Sequence, residues 1–106
     1  MEDGLVRHIL LARIREGTSP DALDAVMAGF RQLPKRIEGV LAFEHGVNNS
    51  PEGANRGFTY IVSLTFASRQ ARNTYLPHPE HLKLVQLVGE LGIVEEMLVF
   101  DYTPLE

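Results

Sequence analysis

Hydrophobic and polar positions alternate at the start of the chain and then change to a helical spacing. From Leu5 to Arg15, the residues Val6, His8, Leu10, Ala12 and Ile14 fall on one side and Leu5, Arg7, Ile9, Leu11, Arg13 and Arg15 on the other. This two-residue period predicts a strand with two usable faces. The turn Glu16-Gly17-Thr18-Ser19-Pro20-Asp21 follows, with Ser19 suited to cap a helix and Pro20 to fill its first position, where a missing N–H costs nothing. Leu23, Val26, Met27, Phe30 and Leu33 recur at helical spacing, and Pro34 is expected to end the regular part. Ile37-Glu38-Gly39-Val40 leads into a second strand expected from Leu41 to Val47. The segment from Asn48 to Gly57 is turn chemistry throughout and predicts an exposed loop.

A third strand, Phe58 to Phe66, presents Phe58, Tyr60, Val62, Leu64 and Phe66 on one face and Thr59, Ile61, Ser63 and Thr65 on the other. Ala67-Ser68-Arg69 begins a short helix that reaches Tyr75. A further helix, with His78 flanking it and Pro79 at its first position, carries Leu82, Val85, Leu87 and Val88 to about Leu91, where Gly92 stops it. Ile93 to Tyr102 forms the last strand. The order is β-α-β-β-α-β with a broken second helix, an α+β, ferredoxin-like arrangement with an antiparallel sheet. One sheet face should pack on the helices, with Leu98, Phe100 and Tyr102 of the last strand on it. Leu5, Ile9, Leu11, Met97 and Val99 then remain apolar on the opposite face, and a patch of that size marks an interface. Two sheets stacked face to face in a homodimer are therefore expected.

Composition narrows the function classes. A chain of 106 residues, 44% hydrophobic and 23% charged, is read as one globular domain, residues 1–106, with a limited core to which a second copy would add buried surface. A formal net charge of −4 and a pI near 5.5 give no field that would hold a polyanion, so neither nucleic acid nor an anionic membrane is expected as a partner. Zero cysteines exclude a disulfide framework, a thiol nucleophile and a thiolate metal site. Nothing at the N-terminus resembles a secretory signal, and no apolar run approaches the ~20 residues of a membrane span, so a cytoplasmic protein is expected. Asn48-Asn49-Ser50 matches a glycosylation sequon, which without an export signal means only a polar turn.

The densest chemistry lies in Tyr75-Leu76-Pro77-His78-Pro79-Glu80-His81, a phenol and two imidazoles at a helix junction. His8 belongs to the strand face assigned to the helices, and His81 to the helix whose apolar face meets the same layer. The two imidazoles can thus converge on one cavity, where a pKa of roughly 6.5 suits them to proton exchange near neutrality. The plainer alternative for His8 is a half-buried histidine bonded to a neighbour. Asp101 can orient His81 and stabilise its charged form, as carboxylates do for catalytic imidazoles, or can simply close the strand end. Regular alternation turns it away from the helices unless the strand bends or bulges. Tyr75 can donate a hydrogen bond to a carbonyl or enolate oxygen, or pack with its hydroxyl in water. His78 and His81 are three apart, but there is no His-Glu-x-x-His motif and no cysteine pair, so a structural helix start is favoured over a metal site. Ser63 and Ser68 lack a nucleophile elbow, and the glycines between Asn48 and Gly57 precede no helix, which excludes a nucleotide cradle. No cofactor is expected.

Taken with Val6-Arg7-His8 near the start and Val99-Phe100-Asp101-Tyr102 at the end, the Tyr75–His81 stretch makes the chain resemble the stress-responsive dimeric α/β-barrel family, Dabb, from about Leu5 to Tyr102. The resemblance implies a dimeric α/β barrel. More distantly the chain resembles the olivetolic acid cyclase-like polyketide cyclases of plants, which close a linear tetraketide into an aromatic acid by aldol condensation. That likeness covers His8, Tyr75, His81 and Phe100-Asp101-Tyr102-Thr103-Pro104. It implies His81 as general base and Tyr75 as the group that holds the substrate carbonyl. Tyr60 stands where those cyclases have a histidine. The candidate catalytic residues are therefore His81, Tyr75, His8 and Asp101, and the candidate substrate-contacting residues Tyr60, Leu10, Val62 and His78. Two readings follow. One is a stress-responsive protein that holds a small apolar or carbonyl-containing molecule between sheet and helices. The other is a small cofactor-independent cyclase, isomerase or lyase with His81 as its base.

Overall fold

The computed structural model describes residues 4–106, so the first three residues of the expected domain lie outside the described part. The elements run β1 (Val6–Ile14), α1 (Pro20–Arg36), β2 (Val40–Val47), β3 (Tyr60–Phe66), α2 (Arg69–Tyr75), α3 (Pro79–Leu91) and β4 (Val94–Tyr102). The strands form one antiparallel sheet in the order β2-β3-β1-β4, the ferredoxin-like topology with its second helix in two pieces.

Each helix starts where a side chain can take an orphan backbone N–H. The Ser19 hydroxyl accepts from Ala22 N–H at 3.1 Å, and Ser68 from Ala71 N–H at 3.0 Å. The His78 ring accepts from Glu80 N–H at 3.0 Å. Gly92 ends α3 in the left-handed region, φ +62°, with its N–H on the Val88 carbonyl. Pro34 does not end α1, which continues to Arg36. Pro34 removes its own N–H from the helix ladder, yet Ile37 N–H still closes on the Leu33 carbonyl at 2.9 Å.

The helices cover one sheet face. Val26, Met27, Phe30 and Leu33 of α1 join Val6, Leu10, Val62, Leu64 and Phe66 of the central strands in a single buried cluster. On β4 the structure reverses the parity expected from alternation. Arg13 pairs with Glu96 but Ile14 with Val94, leaving Glu95 as an extra residue, a β-bulge. Such an insertion exchanges the two faces of everything beyond it. Met97, Val99 and Asp101 therefore face the helices, opposite Ala12, Leu10 and His8, while Leu98, Phe100 and Tyr102 lie on the open face. That open face carries Ile9, Leu11 and Ile61 beside Leu98 and Phe100, with no helix over them. No helix among the described residues is long and apolar enough to cross a membrane.

Candidate active site

Four elements, β1, β4, α2 and α3, deliver the polar groups of the helix-covered layer. His8, only 5% exposed, comes from the middle of the sheet on β1. Directly across the ladder, Asp101 of β4 accepts from His8 Nδ1 at 2.6 Å. Asp101 thus orients His8 and not His81. The bulge at Glu95 is the reason, because it turns Asp101 inward beside His8. The other carboxylate oxygen of Asp101 accepts from Arg72 Nη1 of α2 at 2.7 Å.

Tyr75, at the C-terminal end of α2, is fully buried between aromatic rings. Its centroid lies 4.0 Å from that of His81 in a stacked arrangement, 4.9 Å from Phe66, and 5.9 Å from His8 edge-on. The Tyr75 hydroxyl has no hydrogen-bond partner among the described residues. Burial, reinforced by the negative charge of Asp101, pushes its ionisation well above the ordinary phenol range. Tyr75 is therefore a neutral O–H donor throughout the working range of a histidine.

His81 sits in the first turn of α3, one turn after the His78 cap. Its Nδ1 lies 2.8 Å from the Leu76 carbonyl. A carbonyl only accepts, so Nδ1 carries the proton and Nε2 of the neutral ring keeps its lone pair. Burial lowers the His81 pKa below its usual 6.5, the Leu76 carbonyl partly opposes this, and nearby His8 and His78 add to the lowering.

His8, Tyr75 and His81 line one cavity of about 260 Å³, whose remaining wall is apolar: Leu10, Phe30, Leu76, Leu84, Val85, Val88, Met97 and Val99. Of the expected substrate-contacting residues, only Leu10 belongs to this wall. Tyr60 and Val62 line a neighbouring apolar cleft of about 40 Å³. The Tyr60 hydroxyl lies 2.6 Å from His45 Nδ1, outside the cavity, and burial together with nearby Asp24 raises its pKa. His78 does not line this cavity: its Nδ1 caps α3 and its ring borders a separate cleft with Ile37 and Ser68. No group of three or more His, Cys, Asp or Glu among the described residues could hold a metal ion.

Sequence reasoning missed Arg72 and His45. Arg72 had one signal, its position a turn before Tyr75 on the same side of a short helix. His45 shares a face with Phe43 two residues earlier, and their rings stack at 5.2 Å.

The family model described as Stress Responsive A/B Barrel Domain, Dabb, matches residues 6–104. The chain belongs to the Dabb family. It is 36% identical over 101 residues to the stress-response A/B barrel domain-containing protein HS1 of Arabidopsis thaliana, covering 95% of this chain and 91% of that protein. It is 23% identical over 99 residues to olivetolic acid cyclase of Cannabis sativa, covering 93% and 96%. Among solved structures, At3g17210 of Arabidopsis thaliana superposes with a TM-score of 0.87 at 35% identity, covering 95% of this Dabb chain and 96% of that one. Hydroxynitrile lyase from Passiflora edulis gives 0.83 at 23% identity, over 98% and 96%. A protein of unknown function from Jannaschia, described as dimeric and ferredoxin-like, gives 0.81 at 22% identity, over 95% and 100%. The last two likenesses concern the fold.

Proposed function

We propose that this Dabb protein binds a small, largely apolar carbonyl compound between sheet and helices and moves a proton at the carbon next to that carbonyl, as a cyclase, isomerase or lyase does. The observation that carries this reading is the Tyr75 hydroxyl, buried without a partner and stacked on an imidazole whose Nδ1 is tied to a backbone carbonyl. An unpartnered buried hydroxyl costs about 1–3 kcal/mol. A substrate oxygen would recover that cost, most fully as negative charge develops on it. His81 Nε2 takes the proton from carbon, Tyr75 O–H donates to the forming enolate oxygen, and His8, held by Asp101, is the second polar wall. The apolar lining suits a hydrocarbon substituent. Relatives that bear the names of a cyclase and a lyase support a catalytic use of the fold. A chain without cysteine suits a cytoplasmic setting.

The test is His81→Asn against a panel of small ketones and β-dicarbonyl compounds. Turnover should fall by about 10²- to 10⁴-fold while the fold persists; unchanged turnover removes His81 from the chemistry, and a large loss of melting temperature with no substrate found favours a purely binding role. Because the lowered pKa keeps His81 neutral, the acid limb of kcat/KM should fall below pH ~6.5. The stability sign agrees. The unfolded chain takes up the proton first as pH falls, so the His81 contribution is complete above about 6.5 and is lost as pH drops through the folded value.

The protein acts as a homodimer through its open sheet faces, a reading supported by the uncovered apolar residues there and by the dimeric ferredoxin-like relative. Ile9→Asp would bury unpaired charge twice across the two-fold interface, costing several kcal/mol. Light scattering should report a dimer for the unmodified chain and a monomer for the variant; a monomeric wild type at micromolar concentration refutes the arrangement.

A further inference from the structure

We propose that Arg72 is a positioning residue for this site, fixing His8 through Asp101 and steadying Tyr75 through the helix they share; the inference rests on the proton-transfer reading above. Arg72 Nη1 donates to Asp101 Oδ2 at 2.7 Å, while His8 Nδ1 holds Oδ1 at 2.6 Å. Each carboxylate oxygen thus has its own donor, so Asp101 cannot rotate away from the imidazole without breaking the arginine contact as well. With Asp101 accepting, His8 Nδ1 carries the proton, and Nε2 has no hydrogen-bond partner among the described residues. A guanidinium is a permanent donor, so this support does not change across the range in which histidines titrate.

The pair is not an ordinary surface bridge, since the Arg72 and Asp101 side chains are only 21% and 20% exposed. Its second effect is mechanical. α2 is seven residues long and packs chiefly against β2 and β3. Arg72 ties it across to β4, one helical turn before Tyr75. A single ion pair therefore sets two walls of the cavity.

The experiment compares wild type, R72Q, R72K and R69Q by ¹⁵N spectra of the histidine side chains and thermal unfolding. Alongside these, hydrogen–deuterium exchange next to the carbonyl of 2-heptanone is followed in D₂O. In wild type and in R69Q, which keeps the Asp101 contact, His8 should give one tautomer protonated at Nδ1. R72Q should give mixed tautomers and a kcat lower by about 10- to 100-fold, as for other partners that orient an imidazole from behind, with ketone affinity changed by less than about threefold. R72K should recover most of both. A role confined to stability would lower the melting temperature and leave the His8 tautomer alone, and that result overturns the proposal. If His81→Asn exchanges the ketone as fast as wild type, the proton-transfer reading fails while the His8 spectrum still decides the role of Arg72. If exchange requires His81 but is unaffected in R72Q, the Arg72 proposal falls alone. Should R72Q not fold, R72M, which keeps most of the unbranched stem and removes the donor to Asp101, takes its place: mixed His8 tautomers with slowed exchange uphold the proposal, and a single Nδ1-protonated tautomer overturns it.

Discussion

Beneath α1, Val26, Met27, Phe30 and Leu33 close on buried Val62 and Leu64 and leave a cleft of only about 40 Å³; beneath α2 and α3, beyond Phe30, the same layer holds a histidine, a tyrosine and a cavity of about 260 Å³. The helices differ accordingly. α1 buries four side chains in that cluster, whereas in α3 only Leu84 is buried. A close-packed half maximises dispersion and hydrophobic gain. A hollow half forgoes part of that gain and leaves a hydroxyl unpartnered, and such local departures from packing rules concentrate where a protein binds or reacts. One half can therefore be read as the foundation on which the other is held open.

Truncation in the filled half should break this contrast most severely. Leu33→Ala removes a side chain that is 2% exposed and leaves a void between α1 and the sheet. The expected cost is about 2–5 kcal/mol, which in a chain of this length lowers Tm by roughly 10 °C or more. The matching truncation at the cavity wall, Val85→Ala, touches a residue that is 52% exposed and should cost under about 1 kcal/mol. Thermal unfolding of both variants measures the difference. Equal losses would mean that the two halves carry the fold alike.

Tyr75→Phe sharpens the comparison within the hollow half. It keeps the ring stacked on His81 and deletes only the hydroxyl without a partner. Stability should hold or rise, since the desolvation cost of about 1–3 kcal/mol disappears. Turnover should fall by about 10²-fold, the usual size for a lost donor to an oxyanion. A Tm drop of several degrees would instead reveal a structural partner for the hydroxyl, and the functional argument built on it would fail.

The filled half was far more legible in the sequence than the hollow one. Helical spacing through Val26, Phe30 and Leu33, the cap at Ser19 and the alternation of β1 and β3 are local patterns, and they appear in the structure, with β1 ending at Val6 and Ile14 and β3 starting only at Tyr60. The convergence of His8 and His81 was legible too, because each sits on an element whose facing could be assigned; Tyr75, on a short helix with no assigned face, was marked only by its place in the junction. Asp101 was not. β4 carries Met97, Leu98, Val99 and Phe100 in succession, so its alternation holds no signal, and one extra residue at Glu95 exchanges its faces. Arg72 was hidden for a related reason: its partner lies 29 residues away on that same misassigned strand. The tie between Tyr60 and His45 likewise depends on cross-strand geometry, which periodicity does not encode.

The smallest expected effect probes the seam between the halves. Gly29 of α1 faces α3 so closely that an added Cβ would lie 2.7 Å from Leu84 Cδ1. That atom is the free end of a flexible side chain, and Leu84 also lines the cavity. Gly29→Ala should gain about 1 kcal/mol of helix propensity and spend a comparable amount displacing Leu84, so Tm should move by only a few degrees. The displaced methyl groups have room on the cavity side and little toward α1. Ketone affinity, read by NMR shift titration, should therefore weaken by about three- to tenfold, up to ~1.4 kcal/mol, although Gly29 itself does not line the cavity. If affinity is unchanged while Tm drops, Leu84 has strained the filled half instead, and the seam is stiffer on the cavity side than the hollow packing implies.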